Sequence, residues 1–285
     1  MATLPRAARR APLAEVWLTS YVDNVIDGNP AVAAAKPAVI VSPHFDDGVM
    51  SAARQAMCPR ALLLTVFAGI PGSDCRLGDW DLLTRATSAR GRQLERQAED
   101  TAAASQLGAL TARLTELDVE YRTTGVDFDR LCAAMRPFLA DAGQVWLPAA
   151  IGSHPDHLLA RDAGLRCLAV HGDEPQVNLY ADVPYAIEYG WPSWVDPTGV
   201  LPFADADWFV ESELTGAGLD AFELKPTVWE LSPAERERKY LAVSAYRTQL
   251  AALRMEELLA RRADCLLRFE VSWRIQVTSL SSTWC

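Results

Sequence analysis

Short apolar runs alternate with longer stretches of helical period over the first two thirds of the chain. After Pro37, Ala38-Val39-Ile40-Val41 is apolar at every position, as a strand covered on both faces must be, and it ends at Ser42-Pro43. Asp47 to Met57 reads as a helix closed by Pro59, and Ala61 to Phe67 as a second buried strand punctuated by Gly69, Pro71 and Gly72. A helix over 85–107 stopped by Gly108 and a weaker third strand over 113–117 follow. Asp127 then caps a helix carrying Phe128, Leu131, Cys132, Met135, Phe138 and Leu139, with Pro137 expected to kink its last turn. Val145-Trp146-Leu147, a helix from Asp156 to Val170 with Gly172 beyond it, and Val177 to Ala181 complete the series. Strands separated by helices predict an α/β fold: a doubly wound, mainly parallel sheet with helices on both faces.

Past Tyr180 the pattern changes. Tyr185, Tyr189, Trp191, Trp194, Phe203 and Trp208 lie in a proline-punctuated, irregular segment, either a cover packed on the sheet or a pocket wall offering flat apolar faces. Ser232-Pro233-Ala234-Glu235 has the form of a capping box with Pro at the first helical position, opening a long helix to about Ala260. The expectation is one domain over 1–285, with a core over 38–181 and an aromatic-rich cap and late helix over 182–262.

Composition narrows the partners. A chain of 285 residues with 50% hydrophobic residues buries a large core without staples. The net charge of −10, with no cationic run, argues against nucleic acid and anionic membranes. The apolar stretches are too short for a bilayer span. Paired arginines near the start lack a following apolar region, so a secretory signal does not fit and a cytoplasmic location is expected. The six cysteines show no CxxC spacing and read as free thiols or small buried hydrophobes. No feature specifies an oligomeric state.

Histidine is scarce, with four in the chain, and three of them fall in two short segments. Pro43-His44-Phe45-Asp46-Asp47 follows the first predicted strand and His154-Pro155-Asp156-His157 the fourth. In a doubly wound sheet of order 3-2-1-4-5 the winding reverses between strands 1 and 4, where ligands bind beyond the carboxyl ends. Both segments therefore reach one crevice. Two imidazoles and a carboxylate around an open position make a hydrolytic zinc site, here His44, Asp47 and His157. An N/O site of this kind also takes iron or another divalent ion. Asp46 is then free to act as general base, and His154 to polarise a carbonyl, with Asp156 a candidate to orient and charge the His154 ring. Against this stands a plainer reading of either segment alone, in which Asp46 or Asp47 merely caps the next helix. His171, beside Gly172, reads as a structural cation at a helix end.

At these residues the chain resembles the PIG-L/LmbE-type metal-dependent deacetylases. That family carries S-P-H-x-D-D or [AS]-H-x-D-D after the first strand and H-x-D-H after a later one. The resemblance runs from about Ala38 to Gln249 and takes in Arg96-Gln97-Ala98-Glu99, Leu107-Gly108, Leu117-Asp118, Tyr121-Arg122 and Tyr246-Arg247-Thr248-Gln249. It implies a Rossmann-like fold, zinc on His44, Asp47 and His157, Asp46 as base, and His154 assisting at the oxyanion and leaving amine. It also implies Arg96 as a substrate hydroxyl or phosphate contact and Asp118 as a second substrate contact. An ion pair of Arg96 with Glu99 or Asp100 is the plainer alternative. Two positions depart from the family: Gly48 stands where many members have Glu, and Gly152 where some have Tyr.

The activity this implies is zinc-dependent hydrolysis of an N-acyl group, N-acetyl in the first instance, from an amino sugar or other glycoconjugate, as in natural-product biosynthesis. The alternatives are an amidase acting on a larger amide, such as a thiol conjugate, and a catalytically silent sugar- or nucleotide-binding module. The last is disfavoured by the intact His/Asp segments and by the lack of GxGxxG after the first strand.

Overall fold

Seven strands form one sheet in the order β3-β2-β1-β4-β5-β7-β6. They are β1 Ala38–Ser42, β2 Leu62–Thr65, β3 Leu110–Arg113, β4 Gln144–Pro148, β5 Gln176–Tyr180, β6 Lys225–Glu230 and β7 Phe269–Ile275. The first five are mutually parallel, in the expected order, and β7 runs antiparallel to both β5 and β6. The computed structural model describes residues 36–169, 175–188 and 225–275, all within one compact unit, Lys36–Cys285.

Eight α-helices are described: α1 Asp47–Ala56, α2 Asp79–Leu83, α3 Ala89–Leu107, α4 Phe128–Leu139, α5 Pro155–Ala169, α6 Tyr185–Glu188, α7 Pro233–Val243 and α8 Met255–Leu267. Their ends follow local chemistry. Ser88 Oγ accepts from Gly91 N at 3.0 Å to open α3, and Gly108, at φ 68°, closes it in the left-handed region. Asp127 accepts from Arg130 N at 3.1 Å, and Ser232 and Glu235 exchange the reciprocal bonds of a capping box. Helices α1, α3 and α7 pack on one another, as do α4 and α5. Between these two groups β1 is buried at all five residues, so its uninterrupted apolar run is what a doubly covered strand requires.

Several boundaries differ from the expectation. The third strand occupies Leu110–Arg113, earlier than 113–117, because pairing of Leu62 with Leu110 and Thr65 with Arg113 sets its register. At the sheet edge its residues are only half-buried, so its pattern is weak. The expected helix over 85–107 begins only at Ala89, where Ser88 caps it. Helix α4 runs through Pro137 to Leu139, and the interrupted helix is instead α1, at Ala52 (φ −140°, ψ 37°). The single late helix is two helices separated by turns. There Tyr246 donates to Phe45 O at 2.7 Å, and Gln249 bonds outward as well, so tertiary contacts override the helical period. Strands β6 and β7 were not foreseen; Pro226 is tolerated because β6 is an edge strand.

The expectations for residues 1–35, His171 and Gly172, the aromatics from Tyr189 to Trp208, and the C-terminal tail lie outside the described residues. Among the described cysteines, Cys58, Cys75 and Cys132 are free thiols. No helix among the described residues is long and apolar enough to cross a membrane.

Candidate metal centre and its pocket

The turn after β1 is held by one hydroxyl. Ser42 Oγ donates to His44 O at 2.5 Å and accepts from Gly48 N at 2.8 Å, clamping the four residues that lead into α1. Asp46 occupies the N-cap position but makes no side-chain capping bond, so its carboxylate is left to the pocket. Asp47 Oδ2 accepts from His44 N at 2.8 Å and lies 3.1 Å from His44 Nδ1. The same oxygen lies 3.2 Å from His157 Nε2, a buried nitrogen that makes no hydrogen bond. The other nitrogen of that ring, Nδ1, is bound to Asp182 Oδ1 at 2.6 Å.

Two imidazole nitrogens from two distant segments thus converge on one carboxylate oxygen, Asp47 Oδ2. Zinc with bonds of about 2.0–2.1 Å places neighbouring tetrahedral donors roughly 3.3 Å apart, so spacings of 3.1 and 3.2 Å around Asp47 Oδ2 suit a metal of this size. The residues fit the group, and His157 Nε2, buried without a hydrogen bond and 3.2 Å from Asp47 Oδ2, is a donor of the right chemistry for it. Among the described residues, the sets whose donor atoms all lie within 4.8 Å of one another are His44, His154 and His157, and His44, Asp118 and Asp156.

The surrounding charge calls for a cation. Burial opposes a charge on His44, but Asp118, Asp156 and Asp47 outweigh it and raise its pKa well above the usual value. Burial likewise opposes charge on His157, and Asp47 with Asp182 raises it to about 9. Burial alone would raise Asp47; His157 and His44 overcome it and hold the carboxyl well below its ordinary range. Either two protons or one metal ion answers the same field, since both place positive charge between these carboxylates.

Asp46 differs from its neighbour. Burial and the charge of Asp47 raise its pKa, with Arg96 opposing, which makes it the more basic of the pair. Burial, with His44 and His157 adding to it, lowers His154 to about 4, so its ring is neutral at pH 7. Its Nδ1 accepts from Asp156 N at 3.3 Å, which leaves the ring proton on Nε2.

The expectation that the Asp156 carboxylate orients and charges His154 is not met. That carboxylate is turned the other way: Oδ2 meets His44 Nε2 at 3.1 Å and Val119 N at 2.9 Å, and Oδ1 pairs with Arg122 at 2.5 Å. Asp156 opens α5, and its completely buried side chain reaches His44 across the crevice while its backbone faces His154. Its role is with the His44 imidazole.

Arg96, on α3, lies 3.6 Å from Asp46 Oδ1 and 3.5 Å from Asp118 Oδ2. The alternative partners are engaged elsewhere, Glu99 with Thr248 and Asp100 with Arg113. All eight sequence-derived site residues therefore gather at one end of β1 and β4. His44, Asp46, Asp47, Arg96, Asp118 and His154 line a cavity of about 100 Å³ that Met50, Trp80, Glu120, Pro184, Tyr185 and Leu253 complete. His157 and Asp156 stand behind that wall.

Both departures from the family motif have a local cause. A Cβ at Gly48 would stand 3.1 Å from Leu63 Cδ2 and from Ser42 Cβ, so a longer side chain must displace β1 or β2 contacts. Gly152 has φ +92°, and a Cβ there would meet the Tyr185 ring at 2.8 Å. The Tyr185 ring fills that space and stands edge-on to His157 at 5.6 Å between centroids.

Asp182, Trp80 and Glu120 were not picked out from the sequence, whereas Tyr185, named in the aromatic segment read as a cover or a pocket wall, does line the pocket. Asp182 alone left a signal: an acid two residues past β5, at the carboxyl end of the strand paired with β4. Trp80 on the short helix α2 and Glu120 in the helical turn Val119–Tyr121 are placed by segments whose course only the folded chain defines.

This is a Rossmann-like α/β deacetylase fold, with a His/Asp cluster at its topological switch point. No family model matches the chain, and no curated protein matches it in sequence. Among solved structures it is similar to a deacetylase of teicoplanin biosynthesis in complex with teicoplanin (23% identity, TM-score 0.63), over 84% of this chain and 98% of that one. A zinc-inhibited form of teicoplanin deacetylase gives 23% identity and a TM-score of 0.62 over the same shares. The pseudoaglycone deacetylase of the antimicrobial reagent A40926 gives 25% identity and a TM-score of 0.58, over 85% of this chain and 97% of that one.

Proposed function

We propose that this chain is a metal-dependent hydrolase that removes an N-acyl group, N-acetyl in the first instance, from an amino sugar within a glycoconjugate. The observation that carries this is the convergence of His44 Nδ1 and His157 Nε2 on one oxygen of Asp47, with the carboxylate of Asp46 beside it and uncommitted to a helix cap. The similarity to deacetylases of teicoplanin and of the A40926 pseudoaglycone supports deacetylation and a sugar-bearing natural product as the substrate class.

His44, Asp47 and His157 would hold the ion, zinc or another divalent metal. When bound there, a divalent ion supplies Lewis-acid polarisation of the amide carbonyl and eases ionisation of water. Asp46 accepts the proton of the attacking water, and burial beside Asp47 suits it to that task. Neutral His154 donates its Nε2–H to the carbonyl oxygen as negative charge develops there. As the C–N bond breaks, the proton held by Asp46 passes to the nitrogen, giving a free amine and a carboxylic acid. Asp182 and Asp156 fix the rings of His157 and His44, and Arg96 steadies Asp46 and Asp118.

The test is mass spectrometry of N-acetylated amino sugars and their glycosides before and after incubation with the zinc-loaded protein. Deacetylated amine with one equivalent of acetate is expected. Asp46→Asn is expected to keep its bound zinc and lose about 10²–10⁴-fold in turnover. Wild-type turnover in that variant removes Asp46 from the mechanism, and release of only a larger acid selects the amidase instead.

A further inference from the structure

The pocket lining is of two chemical kinds: His44, Asp46, Asp47, Arg96, Asp118, Glu120 and His154 are polar, and Trp80, Met50, Leu253, Pro184 and Tyr185 bring aromatic and aliphatic carbon. Trp80 is the largest of the second kind, and its position is built from several parts of the chain. Its backbone N–H donates to Glu120 Oε1 at 2.8 Å, and its indole Nε1–H donates to Gln249 Oε1 at 2.6 Å. Gln249 is buried, and its Nε2 donates to Thr248 Oγ1 at 2.7 Å. Thr248 in turn donates through N and Oγ1 to the two oxygens of Glu99, at 2.8 and 2.7 Å. A chain of hydrogen bonds thus ties helix α2, helix α3 and the turns after α7 to one indole.

Such a network is more than a half-buried surface tryptophan needs. It spends the only polar group of the indole on Gln249, so that what the ring offers the pocket is carbon alone. The same pocket is lined by carboxylates and a guanidinium, acceptors and donors suited to hydroxyl groups. A pyranose has this same duality: axial C–H groups make one face apolar, while equatorial hydroxyls ring its edge. Aromatic side chains take the apolar face by stacking.

We propose that Trp80 is the platform on which the sugar ring of the substrate stacks, that Gln249 is the positioning residue that fixes its plane, and that this pair selects a pyranose over an acyclic N-acyl amine. The proposal rests on the amino-sugar reading of the site and adds to it the residue that recognises the ring. Trp80 contributes binding and orientation; no proton or bond changes hands at it.

The experiment uses the full chain loaded with zinc, with methyl N-acetylglucosaminide and N-acetylethanolamine as probes. Binding is read by saturation-transfer NMR and calorimetry, turnover by mass spectrometry, and folding and zinc content are checked in each variant. In the wild-type protein, saturation is expected to concentrate on the axial ring protons of one sugar face. In Trp80→Ala that pattern disappears, sugar affinity falls about tenfold, and KM rises more for the sugar than for the acyclic amine, while zinc stays bound. Trp80→Phe retains a ring and an intermediate affinity. Gln249→Leu frees the indole and weakens sugar binding without removing the platform. Wild-type binding with unchanged sugar affinity and saturation pattern in Trp80→Ala overturns the assignment of Trp80 and leaves the deacetylase reading standing. Absence of both binding and turnover of the sugar in the wild-type protein overturns both.

Discussion

Asp182 Oδ1 lies 2.6 Å from His157 Nδ1, and the other oxygen of that carboxylate accepts from Ile151 N at 3.0 Å. The acid follows β5, the backbone N–H belongs to the loop after β4, and the imidazole belongs to α5, so one buried carboxylate fixes a ligand ring against two elements. With Nδ1 directed to Asp182, Nε2 is the nitrogen left to give its lone pair to an ion held beside Asp47. Asp182→Ala is expected to weaken zinc affinity by about 10–100-fold. Competition with a chromophoric chelator measures this, and unchanged affinity refutes the orienting role.

His154 separates two ways of reading the donor cluster. If the ion rests on His44, Asp47 and His157, His154→Ala keeps one equivalent of zinc and loses on the order of 10²–10³ in kcat, the cost of a missing oxyanion donor. If His154 belongs to the metal set, as the 4.8 Å grouping of the three imidazoles allows, zinc is lost together with activity. Metal analysis of the dialysed variant decides it.

Asp100 gives a pH dependence of stability from a carboxyl that takes no part in the proposed reaction. Burial pushes its carboxyl up to about 6 although Arg113 is paired with it at 2.5 Å. Its unfolded value is near 3.9, so the folded state holds this proton more tightly than the unfolded chain does. Stability from this group is fully present below about pH 4 and is lost as pH rises through about 6. Urea midpoints between pH 4 and 7 should show that component in the wild type and not in Asp100→Asn. Parallel profiles in the two proteins rule it out.

Lys239 on α7 and Glu270 on β7 form a completely buried pair at 2.9 Å, and Glu270 also accepts from Arg54 N on α1 at 3.2 Å. Removing the cation leaves a buried carboxylate with only a backbone partner. Lys239→Met is expected to cost about 3–5 kcal/mol, and the double replacement Lys239→Met, Glu270→Leu to recover most of it. Denaturation of the four proteins of that cycle provides the check.

How much was legible in advance follows from the range of the forces involved. Ala38–Val41 and Val145–Leu147 announced buried strands because full burial forbids polar residues, and Ser88, Gly108, Asp127 and Ser232 marked helix ends because capping is local chemistry. The rule that ligands bind where winding reverses then brought His44 and His157 together without any coordinates. Strands β6 and β7 were not legible, because Lys225–Glu230 and Phe269–Ile275 are strands only by virtue of pairing with each other and with β5. The late helix was overcalled for a related reason: its apolar period continues past Val243, but Tyr246 and Gln249 find partners on Phe45 and Trp80 that a helix would deny them.

The order of the parallel strands, the two motif segments and their meeting at one crevice were determined by sequence alone, since each depends on residue types a few positions apart and on general rules of winding. Which oxygen the two imidazoles share, that Asp156 serves His44 and not His154, and that Asp182 and Trp80 belong to the site were decided only by the tertiary structure. Side-chain direction and long-range pairing depend on how separate elements pack, and adjacency along the chain carries no record of that.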